Sequence, residues 1–194
     1  NAVVCGSTQG IGKAIAIQFA ASGANVVLVA RNEESLRSVL REMPAGKNQN
    51  HNFIVADFNE PEILRQKMKN FTSENRPVHI LVNNTGGPKG GDIHKADTSE
   101  FENTFRNHLI CNQILVQAVV EGMKNEKYGR IINIISTSVK QPIKNLGVSN
   151  TIRAAVASWS KTLSFELAPF GITVNNILPG ATKTERLNSI FEAR

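Results

Sequence analysis

The chain holds one tyrosine, Tyr128, one tryptophan, Trp159, and two cysteines among its 194 residues. Cys5 ends an apolar run and Cys111 lies in a stretch of helical spacing. Two such thiols make no disulfide framework, and the usage fits a reducing cytoplasm. No apolar run is long enough to cross a bilayer, which argues against a membrane protein. A basic, apolar leader is also missing. "NAVVC" enters a strand-like run at once, so natural residues are expected to precede it. Blocks of like charge are absent too. The net charge is +6, yet the lysines and arginines are scattered. Arg65, Lys67 and Lys69 alone approach a cluster, and a solvated helix face explains them. That distribution argues against a nucleic-acid partner. There is no internal repeat, low-complexity tract or linker. With 41% hydrophobic residues, residues 1–194 are expected to form one domain with a sizeable core.

What the chain has in quantity is short, unbroken apolar runs. They are "AVVC" (2–5), "NVVLVA" (25–30), "NFIVA" (52–56), "HILVNN" (79–84), "RIINII" (130–135) and "ITVNNIL" (172–178). Rich in Val and Ile and without polar alternation, they suit strands buried on both faces of a parallel sheet. Helical spacing fills the intervals at 11–22, 33–43, 60–71, 100–124 and 150–168. Ser99 and Glu102 read as a capping box for the fourth helix, and Pro169 and Gly171 as stop signals for the fifth. Strand–helix alternation predicts an α/β fold, a doubly wound parallel sheet of the Rossmann type.

Ligands of such sheets bind outside the carboxyl ends of the strands. The first strand runs into "CGSTQGIGKAIA", with Gly6, Gly10 and Gly12 between strand and helix. Glycine there permits a tight turn and close approach of a pyrophosphate to the helix N-terminus. A glycine turn alone is weak evidence; its place in the first βαβ unit strengthens it. The second strand ends "VVLVARNEE", with Ala30 where an NAD enzyme places an acid for the ribose, followed by Arg31. Arg31 suits a 2′-phosphate, so NADP(H) is preferred and NAD(H) remains possible. The bland reading of Arg31 is a solvated residue at a helix start.

The remaining strand ends carry Asp57, "NNTGG" (83–87), Ser136 and Ser138, and "NNILPGATKT". With "CGSTQGIG", "NNTG", "GRIINIIS" and the "PG" loop in this order, the whole chain resembles the short-chain dehydrogenase/reductase family, and in particular its 3-oxoacyl-carrier-protein-reductase-like members. The resemblance implies a pyrophosphate site at Gly6, Ser7, Gln9, Gly10, Ile11 and Gly12, with Arg31 at the adenosine phosphate. It also implies Asp57 and Phe58 beside adenine, and Asn84 and Gly86 on the ribose side. Pro179, Gly180 and Thr182 would hold the nicotinamide carboxamide, while Asn83 either binds or braces the sheet. Family members usually form homodimers or homotetramers through the two long helices after strands four and five. Ala154, Ala155, Val156, Ala157 and Trp159 make a face suited to such packing. Members also continue past the "PG" loop with further helix and a final strand, which are expected to be missing here.

The catalytic set departs from the family pattern of Asn, Ser, Tyr and Lys. Ser136 matches, but the tyrosine position holds Ser149, the lysine position Arg153 and the asparagine position His108. Tyr128 precedes strand five and is out of register. Losing a positioned general acid costs about 10²–10⁴-fold in rate, or about 3–5 kcal/mol. Alignment of reactants alone supplies about 7–11 kcal/mol. His108, sharing a helical face with Phe101, Phe105 and Asn112, reads either as a substitute proton donor or as a satisfied core histidine. Arg153 reads as an anion- or cofactor-holding charge, with Ser149 one turn earlier on the same face. The bland alternative is a surface arginine in a first helical turn, where the helix dipole disfavours a cation.

Two loops are expected to shape substrate choice. Residues 86–97 form a glycine-rich loop suited to moving over the nicotinamide. Residues 139–147 carry Lys140 and Lys144, which suit an anionic substrate or simple solvation. Two function classes follow. One is a cytoplasmic NADP(H)-dependent oxidoreductase interconverting a carbonyl (a small ketone or 3-oxoacyl thioester) and an alcohol, with His108 or water as proton donor. The other is a catalytically silent or regulatory dinucleotide-binding protein on the same fold. Coordinated replacement around a retained Ser136 favours the enzyme; the missing tyrosine favours the silent protein.

Overall fold

The computed structural model describes residues 1–74 and 77–192. Six strands alternate with helices: β1 (Ala2–Cys5), α1 (Gly10–Ala21), β2 (Val26–Ala30), α2 (Glu33–Glu42), β3 (Asn52–Val55), α3 (Pro61–Glu74) and β4 (Ile80–Asn83). There follow α4 (Thr98–Phe105), a π-helical turn (Arg106–Ile110), α5 (Cys111–Asn125), β5 (Gly129–Ile134), α6 (Gly147–Leu167), β6 (Ile172–Ile177) and α7 (Glu185–Glu192). All strand pairs are parallel, in the order β3-β2-β1-β4-β5-β6. The order reverses between β1 and β4, which is where a ligand crevice opens in such sheets.

Burial on both faces explains the unbroken apolar runs. Val3, Cys5, Val27, Val29, Leu81 and Ile131 point into one core, closed by Leu64 and Met68 of α3, Leu115 of α5 and Leu167 of α6. Their neighbours Val4, Val26, Leu28 and Val82 point into a second core under Ala16 and Ala20 of α1 and Leu36 and Val39 of α2. Each fully buried Leu or Ile contributes about 1.5–3 kcal/mol relative to exposure, so a polar residue at either parity of a central strand would destabilise the sheet.

Three local expectations are corrected. The cap of α4 is Asp97, two residues ahead of the expected Ser99. The Asp97 side chain accepts from Ser99 N at 2.8 Å, and Glu100 Oε1 accepts from Asp97 N at 3.2 Å. Asp97 is extended while Ser99 is already helical, so only Asp97 has the geometry of a cap. The expected helix 100–124 is interrupted by the π turn, which shifts the phase of side chains. Phe105 is therefore 40% exposed, and Thr104 joins His108 and Asn112 in the interior. Helix α6 begins at Gly147, earlier than expected. A Cβ there would lie 2.4 Å from Ile93 Cβ, so only glycine lets the chain pass. Arg153 consequently lies beyond the first turn, and the dipole argument against a cation does not apply to it.

Candidate active site

A cleft of about 740 Å³ runs across the carboxyl ends of the strands, and residues following every strand reach it. The glycine turn after β1 forms one wall. Gly6 and Gly10 have φ of +57° and +52°, a region that side chains rarely adopt. A Cβ on Gly12 would sit 2.2 Å from Gly6 O, so α1 starts hard against the turn. Asn84 Nδ2 donates to Cys5 O at 3.1 Å and Gly6 O at 3.2 Å, pinning the turn to β4. Gln9 precedes α1 without a side-chain cap, which leaves the first helical N–H groups to an anion.

Most residues expected at the cofactor line this cleft. Gly6, Gln9, Gly10 and Ile11 do so on the turn side, and Arg31, Asp57 and Phe58 at the ends of β2 and β3. Asn84 and Gly86 follow β4; Pro179, Gly180 and Thr182 follow β6. Two of the expected residues lie off it. Ser7 is fully buried, with Oγ donating to Val29 O at 3.5 Å, and it does not reach the cleft. Gly12 does not reach it either, because it is packed against Gly6 O. Thr8, adjacent to Ser7, lines the wall instead, and nothing in the motif says which of the two faces out. The amide of Asn84 is committed to the turn, as noted. Asn83 braces the sheet: its Nδ2 donates to Asn133 Oδ1 at 2.8 Å, and Asn133 Nδ2 donates to Asn176 Oδ1 at 3.1 Å.

Ser136, Ser149 and Arg153 share the opposite wall. Ser136 Oγ accepts from Ser138 N at 3.1 Å, so a lone pair is occupied and its own O–H is left to donate. Arg153 Nη1 donates to Ile134 O at 2.7 Å, anchoring the guanidinium two residues before Ser136. Its Nε is buried without a hydrogen-bond partner. Burial, then the neighbouring Arg186 charge, push the Arg153 pKa down to about 10, and the group stays cationic at neutral pH. Arg186 of α7, absent from the expected set, lies against Gly87 and donates to Pro88 O. Asn150 in "GVSNTIR" ties the preceding loop to α6, donating to Ile143 O at 2.9 Å.

His108 is placed differently from the expected donor. It is buried, and it lines a small polar cavity with Asn83, Asn112 and Arg153 rather than the main cleft. Its Nε2 lies 3.1 Å from Gly86 O. A carbonyl only accepts, so Nε2 carries the hydrogen. Burial above all, then the charge of Arg153, hold its pKa well below the usual value. The ring is therefore neutral at pH 7, and its one N–H is committed to Gly86. His108 positions the strand-four loop. That loop is tied to the one before α6: Gly91 N donates to Asn145 O at 2.8 Å, and Gly147 N to Gly91 O at 3.3 Å.

Together these features define an α/β dinucleotide-binding domain. The glycine turn, the uncapped α1 and a cleft of about 740 Å³ fit a dinucleotide. Ala30 leaves the end of β2 without an acid, which accommodates an extra phosphate beside Arg31. The short chain dehydrogenase family model matches residues 1–194, and the chain belongs to that family of NAD(P)-dependent oxidoreductases.

The 3-oxoacyl-(acyl-carrier-protein) reductase FabG of Vibrio cholerae is 30% identical over 191 residues, covering 97% of this chain and 76% of the relative. Inactive hydroxysteroid dehydrogenase-like protein 1 of Homo sapiens is 31% identical over 180 residues, covering 92% and 54%. The crystal structure of YwfH, an NADPH dependent reductase involved in bacilysin biosynthesis, superposes with a TM-score of 0.93 at 28% identity, covering 99% of this chain and 76% of that one.

Proposed function

We propose that the chain is an NADP(H)-dependent reductase of a ketone or 3-oxoacyl thioester that works without the family's tyrosine. NADPH dependence of the similar YwfH, the 3-oxoacyl reductase FabG and the acid-free end of β2 support this reading. The observation that carries it is Ser136: an O–H donor, its lone pair occupied by Ser138 N, in the same cleft as Ser149 and Arg153. The bound cofactor supplies a hydride. Ser136 donates to the carbonyl oxygen, and Ser149 adds a second hydroxyl from α6. Arg153 sets a permanent positive charge beside both, which lowers the cost of charge developing on that oxygen. With His108 neutral and turned to Gly86, water entering the cleft through Ser149 delivers the proton.

A second reading is favoured by the lack of any phenol in the cleft and by the human relative designated inactive: dinucleotide binding without turnover. NADPH and NADH binding, followed by NADPH oxidation against ketones and 3-oxoacyl thioesters, separates the two. The expected result is tighter NADPH than NADH binding, slow oxidation, and a further loss of about 10²-fold in Ser136→Ala. Tight NADPH binding with no turnover on any substrate sinks the reductase. For assembly, a homodimer or homotetramer through α5 and α6 accords with the family resemblance, although Val156 of the expected face is buried within the protomer.

A further inference from the structure

Behind the main cleft lies a much smaller space of about 10 Å³. It is bounded by Asn83 and Asn84 at the end of β4, His108 and Asn112 of the interrupted helix, and Arg153 and Val156 of α6. Two of its walls carry a buried polar atom without a hydrogen-bond partner, Asn83 Oδ1 and Arg153 Nε. A fold normally pairs such atoms. These two are opposite in kind, since a carbonyl oxygen only accepts and a guanidinium N–H only donates. Asn83 is not free to turn its amide round, because Nδ2 is spent on Asn133 Oδ1 at 2.8 Å. Arg153 is held as well, with Nη1 donating to Ile134 O at 2.7 Å. His108 adds a third group: with Nε2 donating to Gly86 O, its Nδ1 is left as an acceptor. Asn112, 5% exposed, brings an amide able to serve in either role.

This set selects its ligand. An anion would meet the lone pairs of Asn83 Oδ1 and His108 Nδ1, and a cation would meet Arg153. An apolar group would leave both orphans unpaired. A neutral molecule with two hydrogens and two lone pairs satisfies them, and a single water needs only about 10–15 Å³. We propose that this cavity binds one water molecule, which accepts from Arg153 Nε and donates to Asn83 Oδ1 and His108 Nδ1. It joins β4, the π turn and α6 through three side chains that make no hydrogen bond to one another. Held at Nε and at Nη1, the guanidinium keeps one plane on the wall it shares with Ser136 and Ser149. The water is a tether rather than a proton carrier: Arg153 keeps its protons near neutral pH, and the one N–H of His108 is committed to Gly86. The site depends on neither the cofactor nor the reductase reading.

The test is oxygen-17 relaxation dispersion of water in solutions of the full chain, which counts waters held inside longer than the protein tumbles. A crystal structure of the same chain supplies the position. Water density is expected about 2.7–3.2 Å from both Arg153 Nε and Asn83 Oδ1. Asn112→Leu sets two methyl groups where the amide stood and is expected to lower the count by one. Asn112→Ser keeps a polar group, adds room and is expected to hold the count at or above that of the wild type. If Asn112→Leu does not fold, the wild-type density decides. Density that bridges neither atom, or a direct hydrogen bond from Arg153 Nε to Asn83 Oδ1, overturns the site. So does a count that Asn112→Leu leaves unchanged. Saturating NADPH is expected to leave this water in place; its loss on NADPH addition would assign it to the cleft and overturn the proposal.

Discussion

A histidine facing a backbone carbonyl behaves unlike one facing substrate, and His108 shows how burial decides between them. Its side chain is shut away with Arg153 and hydrogen-bonded to Gly86 O, and its pKa is depressed by burial and then by Arg153. The folded state therefore resists a proton that the unfolded chain accepts near pH 6.5. Stability follows the difference in bound protons. It is fully present above the unfolded value and is lost as pH falls from about 6.5 toward the lowered folded value. Urea unfolding at pH 7 and pH 5.5 is expected to show a loss approaching about 1.4 kcal/mol per pH unit, shallower in His108→Asn. His79, also depressed by burial, is common to both proteins and cancels. Equal slopes would mean that the ring is protonated or solvated in the fold. At this scale the sequence left two readings open: a lone histidine in a catalytic register carries no mark of whether its ring reaches solvent.

The elements were more legible than their ends. Strands stood out because two-sided burial removes polar alternation, and the glycine turn stood out because few residues tolerate its φ. The α4 cap was misplaced by two residues because Asp97, Ser99 and Thr98 are all capping types, and only the chain's entry angle chooses among them. The π turn left no trace, since it answers to what Thr104 and His108 meet across the interior. Arg186 was missed because its role depends on α7 folding back over Gly87. Two of the expected glycines can now be ranked. Gly12→Ala forces a Cβ to 2.2 Å from Gly6 O. It is expected to cost about 1–3 kcal/mol in thermal unfolding and to abolish measurable NADPH binding. Gly86→Ala meets nothing within 4 Å and is expected to leave the melting temperature within about 2 °C. Similar behaviour of the two variants would contradict the close turn–helix contact.

At the scale of the whole molecule, several large apolar side chains stay exposed on the helices. Phe165 of α6 is 71% exposed, with Phe105 at 40% and Ile110 at 36% near the start of α5. Trp159 Nε1 donates to Gln113 Oε1 at 2.8 Å, which locks α6 to α5. Phe165 lies on one of the two helices through which the family resemblance implies pairing, and Phe165→Glu would set a charge there. Light scattering is expected to give an oligomer for the wild type and a mass at least halved for Phe165→Glu at equal concentration. A wild-type monomer, or an unchanged mass, would remove α6 from the interface.

The sheet order carries one more consequence, about time. β1 is made first yet lies inside, flanked by β2 and β4. Its partner β2 follows after a single helix, while β4 waits for two further helices and β3. As a chain leaves the ribosome from its N-terminus, the leading half can thus assemble β3-β2-β1 with the glycine turn in place. The trailing half then adds β4, β5 and β6 outward from the exposed flank of β1. The crevice is the seam between those two halves. On this account phosphate-binding backbone is in place before Ser136, Arg153 or Arg186 has a surface to rest on, and a dinucleotide able to engage the early half would act as a template for the later one.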